Sequence, residues 1–337
     1  MNALQAREVV PRRRYRPVAI ARLDITPFRD EHLGDAGVLL AERHVRHRTL
    51  EPLLSPAFED EDVARAEVEK AWGAEGASGS AALSDGRVVG FMVGAPRPGA
   101  AWGPNVFVEP GGHAAEDPEV VRDLYALAAA GWVDAGATSH YAIVPADPPL
   151  LDAWSRLGFG QQQGLGIREV PAERAGARPA RTRIATVEDA DAILPLDILG
   201  DYQTSSPTFA PHTPPDPEEA RAELIEELED PRVATVVAEL DGRPVGIATV
   251  APVEYSGLHT SVAQPEDACI LGYAATLPEV RGTGSGLALT EGVFAWAREH
   301  GYSTIVVDWR MPNLLSSRFW PARGFRTSFV RMHRTIR

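Results

Sequence analysis

Residues 271–300 read LGYAATLPEVRGTGSGLALTEGVFAWAREH, and the order of features within this stretch decides the fold. An apolar strand runs to Leu277 and stops at Pro278. A turn follows, carrying Arg281, Gly282, Thr283, Gly284, Ser285 and Gly286. An amphipathic helix then starts near Ser285 and continues through Leu289, Val293, Phe294 and Trp296 to His300. Glycines let a backbone approach an anion closely, and the unpaired N–H groups and dipole at a helix start bind a phosphate. Arg281 adds a permanent positive charge beside them. On these six residues alone, a glycine-rich turn without a ligand remains an alternative. A nucleotide phosphate loop fits poorly, because no Gly-Lys-Ser/Thr follows. A dinucleotide fingerprint fits poorly, because its third glycine is misplaced.

Working outward, residues 234–250 (ATVVAELDGRPVGIATV) are two apolar runs around Asp241-Gly242, a hairpin signal. Downstream come a strand at Thr304-Ile305-Val306-Val307, a short helix ending in Gly324-Phe325, and a last strand. The same order occurs earlier in the chain. A hairpin surrounds Asp85-Gly86, an apolar segment runs from Asn105 to Pro110, and a helix spans Val120 to Ala135. A strand at Tyr141–Val144 and a helix ending in Gly158-Phe159 follow. Asp85-Gly86 maps onto Asp241-Gly242 and Gly90 onto Gly246, both at an offset of 156. The chain is therefore read as two copies of one unit. The expected organisation is a flexible arm at 1–17, a first domain at 18–170, a linker at 171–180 and a second domain at 181–337. Each copy reads as a mixed α/β sheet with helices on its faces. In the second copy, five prolines between Tyr202 and Pro217 exclude regular structure and point to a flap over the cleft. A helix from Glu218 to Leu228 follows. Residues Pro252 to Asp267 are extra relative to the first copy and are a candidate substrate lip.

Pro278-x-x-Arg281-Gly282-x-Gly284-x-Gly286 resembles the Arg/Gln-x-x-Gly-x-Gly/Ala loop of the GNAT superfamily of acyl-CoA-dependent N-acyltransferases. Asn313, Trp320 and Gly324-Phe325 resemble that family's Asn…Tyr…Gly-Phe segment. The resemblance covers Thr182 to Arg337. It implies two tandem GNAT-like domains, each a mostly antiparallel mixed sheet with a splayed parallel strand pair and helices on both faces. It implies that backbone N–H groups of Gly282, Thr283, Gly284, Ser285, Gly286 and Leu287 hold the pyrophosphate of acetyl-CoA or another acyl-CoA. It further implies that Ala275, Thr276 and Leu277 pair with the pantetheine arm and that Asn313 and Ser316 face it. An amine would then attack the thioester directly at the fork between strands 271–277 and 305–310.

One residue departs from the pattern. Trp320 stands where the family often has a tyrosine that serves as acid, and an indole is a poor acid. Tyr273, Tyr255 and Ser317 are alternatives for that role. Glu254 and Asp267 border the expected cleft and are candidate bases, although a solvated surface carboxylate is the plainer reading of each. His259, in the long loop, reads as exposed, and the Arg337 carboxylate could approach the site. The lone Cys269 lies in an apolar run and reads as a small buried hydrophobe.

The first copy's matching loop, Pro110 to Pro118, lacks the arginine and the later glycines. Glu116 and Asp117 would stand where phosphates should. This half is expected to keep the fold without a cofactor site, with Trp154 in the place of Trp320. One intact and one degenerate copy is a plan similar to that of mycothiol synthases, which does not transfer a substrate. A net charge of −14 argues against nucleic acid as a partner. No run is long enough for a membrane span, and a single cysteine fits a reducing, cytoplasmic setting. The expected acceptor is a small-molecule amine and the expected state a monomer or homodimer, with no metal. A silent acyl-CoA sensor and a protein lysine or N-terminal acetyltransferase are the competing readings.

Overall fold

A computed structural model describes residues 23–99, 102–172, 180–205, 207–208, 210 and 212–336. The expected arm at 1–17, most of the linker and Arg337 lie outside the described residues. The first half contributes β1 (Asp24–Pro27), β2 (Ser78–Ser84), β3 (Arg87–Gly94), β4 (Asn105–Val108), β5 (His113–Ala115), β6 (Ser139–Pro145) and β7 (Gly160–Glu169). Its helices are α1 (Leu33–Arg48), α2 (Glu61–Trp72), α3 (Val120–Asp134) and α4 (Pro148–Arg156). The second half contributes β8 (Arg181–Ile184), β9 (Ala234–Leu240), β10 (Arg243–Pro252), β11 (Ala268–Thr276), β12 (Thr304–Arg310) and β13 (Arg326–Thr335). Its helices are α5 (Ala190–Ile193), α6 (Leu199–Thr204), α7 (Pro217–Glu229), α8 (Ser285–Glu299) and α9 (Ser316–Phe319).

Both Asp-Gly pairs turn their hairpins with two positive φ angles, 51° and 80° at Asp85-Gly86 and 52° and 75° at Asp241-Gly242. That is the type I′ turn whose twist matches its flanking strands. The strands form a sheet in the order β4-β6-β13-β7-β12-β11-β10-β9-β8 and a second in the order β1-β2-β3-β5. A bridge between Ala95 and Phe107 links the two.

The order is a palindrome of the two copies, with one feature the repeat did not predict. The last strand of each half lies against the penultimate strand of the other. β7 pairs with β12, β13 pairs with β6, and β7 and β13 pair with each other at the centre. Chain-wise the halves are separate, but each sheet is completed by the other half's strand. Gly164 and Gly166 on β7 suit this fit: a Cβ at Gly166 would meet the Trp309 ring at 2.4 Å, and one at Gly164 would crowd Met311 and Trp309 at 3.0–3.1 Å.

α3 and α4 of the first half and α8 and α9 of the second cover one face of the sheet over two apolar clusters. On the other face, the core under α1 and α2 takes in Val253, Val262 and Ala263 from the long loop. The loop 252–267 thus packs between the halves rather than standing free as a lip, and its Gly257, Thr260 and Ser261 border a cavity of about 410 Å³. Its apolar residues are spent on docking the halves, and His259 is buried at 1% exposure rather than exposed. The flap segment is also more regular than its prolines implied, since α6 runs through Tyr202 to Thr204.

Candidate functional site

β11 and β12 run parallel and pair from Ala268↔Thr304 to Leu271↔Val307. There the ladder stops, although β11 continues to Thr276 and β12 to Arg310. Beyond the fork β11 stays paired to β10, with a bulge that leaves Gly272 unmatched between Thr249↔Tyr273 and Val250↔Leu271. A bulge reverses the alternation of the strand after it. Cys269 and Leu271 therefore face α8 before the bulge, and Ala274 faces it after. β12 instead stays paired to β7, through Asp308↔Leu165 and Arg310↔Gln163.

A cavity of about 440 Å³ lies in the fork. Leu271, Ala274, Ala275 and Thr276 line it from β11, and Leu289 and Thr290 from α8. The glycine turn closes one end. Gly282 and Gly284 have φ of 82° and 96°, a conformation glycine adopts without strain. Ala288 N–H to Gly284 C=O is the first backbone bond of α8, and no side chain caps the helix. Of the N–H groups ahead of it, that of Thr283 is already bonded to the Val280 carbonyl at 3.2 Å, and those of Ser285, Gly286 and Leu287 are the unpaired donors of a helix start. Arg281, Gly282, Gly284, Gly286 and Leu287 line this end. Thr283 and Ser285 do not; their hydroxyls bond each other at 3.0 Å, and Thr283 donates to the Val280 carbonyl. Leu277 also stays out of the lining, with its N–H on the Val245 carbonyl at 2.9 Å.

Asn313 and Ser316 line the opposite wall. The Asn313 carboxamide oxygen accepts from the N–H groups of Leu315 and Ser316, at 3.0 and 3.2 Å, and so fixes the turn into α9. Trp320 is buried against Phe319 and Phe325 and also borders the cavity. Ile198, Leu199 and Tyr202 close the mouth, with the Arg281 guanidinium 5.1 Å from the Tyr202 ring centre. Arg323 is a lining cation that sequence reading missed. Its only signal was its place beside the Gly324-Phe325 turn.

The three proposed catalytic residues fall elsewhere. Asp267 begins β11 at the end away from the fork, exposed, with its carbonyl taken by the Ser303 and Thr304 N–H groups. Glu254 follows β10 at that same end and is exposed. Neither lines the cavity. Tyr273 is an anchor rather than an acid. Its hydroxyl donates to the Leu196 carbonyl at 3.0 Å and accepts from the Ile198 and Leu199 N–H groups at 3.1 and 3.3 Å. Burial raises it well above the ordinary tyrosine range. Tyr255 is held by Asp230 at 2.6 Å, and Ser317 donates to the Asn313 carbonyl. Cys269 is fully buried, and burial pushes its thiol up to about 12, so it is no nucleophile.

The carboxylate next to the fork is Asp308, the first residue of β12 past the last laddered pair. It is half-buried, accepts from the Gln163 side-chain amide, and faces Arg310 and Arg331. Burial raises its carboxyl above the ordinary range, against the pull of those partners. Sequence reading passed over it because TIVVDWR reads only as an apolar strand with one acid.

The first half's counterpart is built differently. Residues 113–115 form β5, paired to β3, so the turn into α3 is only 116–119 and not the whole of 110–118. Arg43 from α1 reaches into this fork and donates to the Pro110 carbonyl at 2.6 Å and to the His113 carbonyl. The cavity there is about 130 Å³, and Glu116 lines it while pairing with Arg87. Trp154 is fully buried, as its place in the repeat would have it.

Among the described residues no cluster of histidine, cysteine or carboxylates could hold a metal ion, and no helix is long and apolar enough to cross a membrane. No curated protein matches the sequence significantly. Residues 199–325 match the model of the acetyltransferase (GNAT) family. Among solved structures, the fold is similar to a GCN5-related N-acetyltransferase from Sphaerobacter thermophilus. The two share 14% identity over 94% of this chain and 96% of that one, with a TM-score of 0.56. It is also similar to the glucosamine N-acetyltransferase region of a fungal multi-domain β-N-acetylglucosaminidase. There the identity is 14% over 94% of this chain and 38% of that one, with a TM-score of 0.53. These likenesses show the fold, while the family match falls on the segment that holds the larger cavity. Residues 199–325 thus match the GNAT acetyltransferase family, and the chain has the fold of two tandem GNAT-like domains.

Proposed function

We propose that the second half moves an acetyl or other small acyl group from acyl-CoA to the primary amine of a small molecule, by direct attack in a ternary complex. The observation that carries this is the fork itself. β11 and β12 part at Leu271 and Val307 over a cavity closed by a glycine turn and an uncapped helix start. Acyl-CoA, when bound, supplies an activated thioester carbonyl. Unladdered backbone on the fork side of β11 from Gly272 to Thr276 offers an extended, amide-bearing arm the pairing of an added strand. The turn from Gly282 to Leu287 suits a pyrophosphate, with Arg281 and Arg323 as nearby cations. The short turn and the seated Arg43 support a single cofactor site per chain. For the amine's proton we assign Asp308, whose place past the fork and raised pKa suit a general base.

A silent acyl-CoA sensor is the second reading. It is favoured by Trp320 on the cavity wall and by a lining that, among the described residues, holds no carboxylate or histidine. Calorimetry with acetyl-CoA tests the site: wild type should bind and Gly284→Glu should not. Equal binding by both would remove the pyrophosphate assignment. Thiol release across an amine panel then separates the readings, since tight binding with no turnover on any amine favours the sensor.

A further inference from the structure

The face of β12 turned away from α8 carries charges besides the Asp308 that the acyl-transfer reading uses. Past the last laddered pair, β12 continues as Asp308, Trp309 and Arg310. Trp309 packs into the core under α8, so alternation sends Asp308 and Arg310 to the opposite face. On that face Arg310 is directly opposite Gln163 of β7, and Gln163 is directly opposite Arg331 of β13. The three side chains form one row across three strands, with strands about 4.8 Å apart. Leu165 and Ile143 beside the row belong to the apolar core, so its surroundings are poor in water.

The charges in this row do not balance. Arg331 is buried at 3% exposure. Its guanidinium donates to the carboxamide oxygens of Gln162 and Gln163 and lies 5.2 Å from the Trp102 ring centre. The Arg310 side chain makes no hydrogen bond or ion pair with any of the described residues, and its carbonyl accepts from the Asn313 N–H at 3.0 Å. Arg97, which also bears on Arg331, is already paired with Glu109 at 2.6 Å. Tyr141 and His333 stack at 4.5 Å at the far end of the patch and bring no negative charge. Among the described residues Asp308 is thus the one carboxylate facing these two arginines. Burying an uncompensated cation is expensive, and an anion is its natural partner. This excess of positive charge stands in a chain of net charge −14.

We propose that the acceptor is an amine that also carries a carboxylate, its acid held by Arg310 and Arg331 and its amine turned to Asp308 at the fork. This rests on the acyl-transfer reading and names the acceptor class for that same site. A planar guanidinium matches a carboxylate through two parallel N–H bonds, and the half-exposed Arg310 has its donors free for this. Asp308 and Arg310, two residues apart on one face, would then read the two ends of one short skeleton.

The test compares α-, β- and γ-amino acids with the matching amines that lack the carboxylate. Thiol release from acetyl-CoA is measured for wild type, Arg310→Met and Arg310→Lys. Wild type should favour the carboxylate-bearing partner at least tenfold in kcat/KM. Arg310→Met should erase that preference through KM alone, Arg310→Lys should restore part of it, and calorimetric affinity for acetyl-CoA should stay unchanged in both variants. Equal or faster turnover of the plain amines by wild type overturns the proposal and leaves acyl transfer standing. Failure of acetyl-CoA to bind wild type overturns the acyl-transfer reading, and this one with it. The same amino acids are also titrated into protein saturated with CoA. Absence of both binding and turnover there counts against the proposal even where acetyl-CoA binds.

Discussion

At Asp308 a single residue combines position with environment. It follows the last laddered pair of the fork, and desolvation lifts its carboxyl above the ordinary carboxylate value near 4. A base must be ionised to work, so activity should fall as pH drops through that raised value. Asp308→Asn should lower kcat about 10²- to 10⁴-fold, the usual worth of general base catalysis, and abolish the acid limb of the pH profile. Acetyl-CoA affinity should not move. Calorimetry beside a pH–rate series checks both, and an unchanged kcat would end the assignment. The sequence pointed to the glycine-turn end of the cavity and hid Asp308 for a definite reason. Arg281 to Gly286 announce themselves locally, because glycine, arginine and a helix start lie in consecutive positions. Asp308 matters only through where a parallel ladder ends, which is a tertiary fact. Glu254 and Asp267 looked attractive because they neighbour β11 in the chain, but they sit at the strand's closed end.

At the scale of elements, the entrance to the cavity hangs on one hydroxyl. Tyr273 gathers the Leu196 carbonyl and the Ile198 and Leu199 N–H groups, and thereby seats the start of α6 beside the fork. Tyr273→Phe leaves the Leu199 N–H without its partner, while the Ile198 N–H keeps its 3.0 Å bond to the Leu196 carbonyl. It should lower stability by about 1–3 kcal/mol. Because Ile198, Leu199 and Tyr202 border the cavity, KM for acyl-CoA should rise while kcat holds. A collapse of kcat with unchanged KM would instead make Tyr273 the acid. Strand-helix order in both halves was legible from hairpin and turn chemistry. The bulge at Gly272 was not, because a lone glycine in a strand has no signature that separates a bulge from a close packing contact. The glycines of β7 were unreadable for the same reason: their purpose is Trp309, which lies 143 residues further along the chain.

For the whole molecule, buried neutral histidines set a limit on acid tolerance. Burial depresses His47, His113 and His259 to about 3, whereas an unfolded histidine titrates near 6.5. Between those values the unfolded chain binds protons that the folded chain refuses. Stability is therefore complete above about pH 6.5 and declines as pH falls toward 3. The thermal midpoint should drop between pH 7 and pH 4.5, and His259→Leu should flatten part of that slope. A midpoint independent of pH over this range would contradict the burial. The repeat was readable in the sequence, but the exchange of β7 and β13 was not, since both arrangements bury the same apolar faces. That exchange has a consequence for the chain as a covalent object. If a protease cuts once between Ala172 and Ala180, neither fragment can leave without taking a strand from the middle of the other's sheet. The two pieces should co-elute in gel filtration and keep acetyl-CoA affinity, and either piece made alone should aggregate or pair with itself. The peptide connection between the halves would then be dispensable once folding is complete, and the degenerate copy would be a permanent subunit that happens to share a chain with its partner.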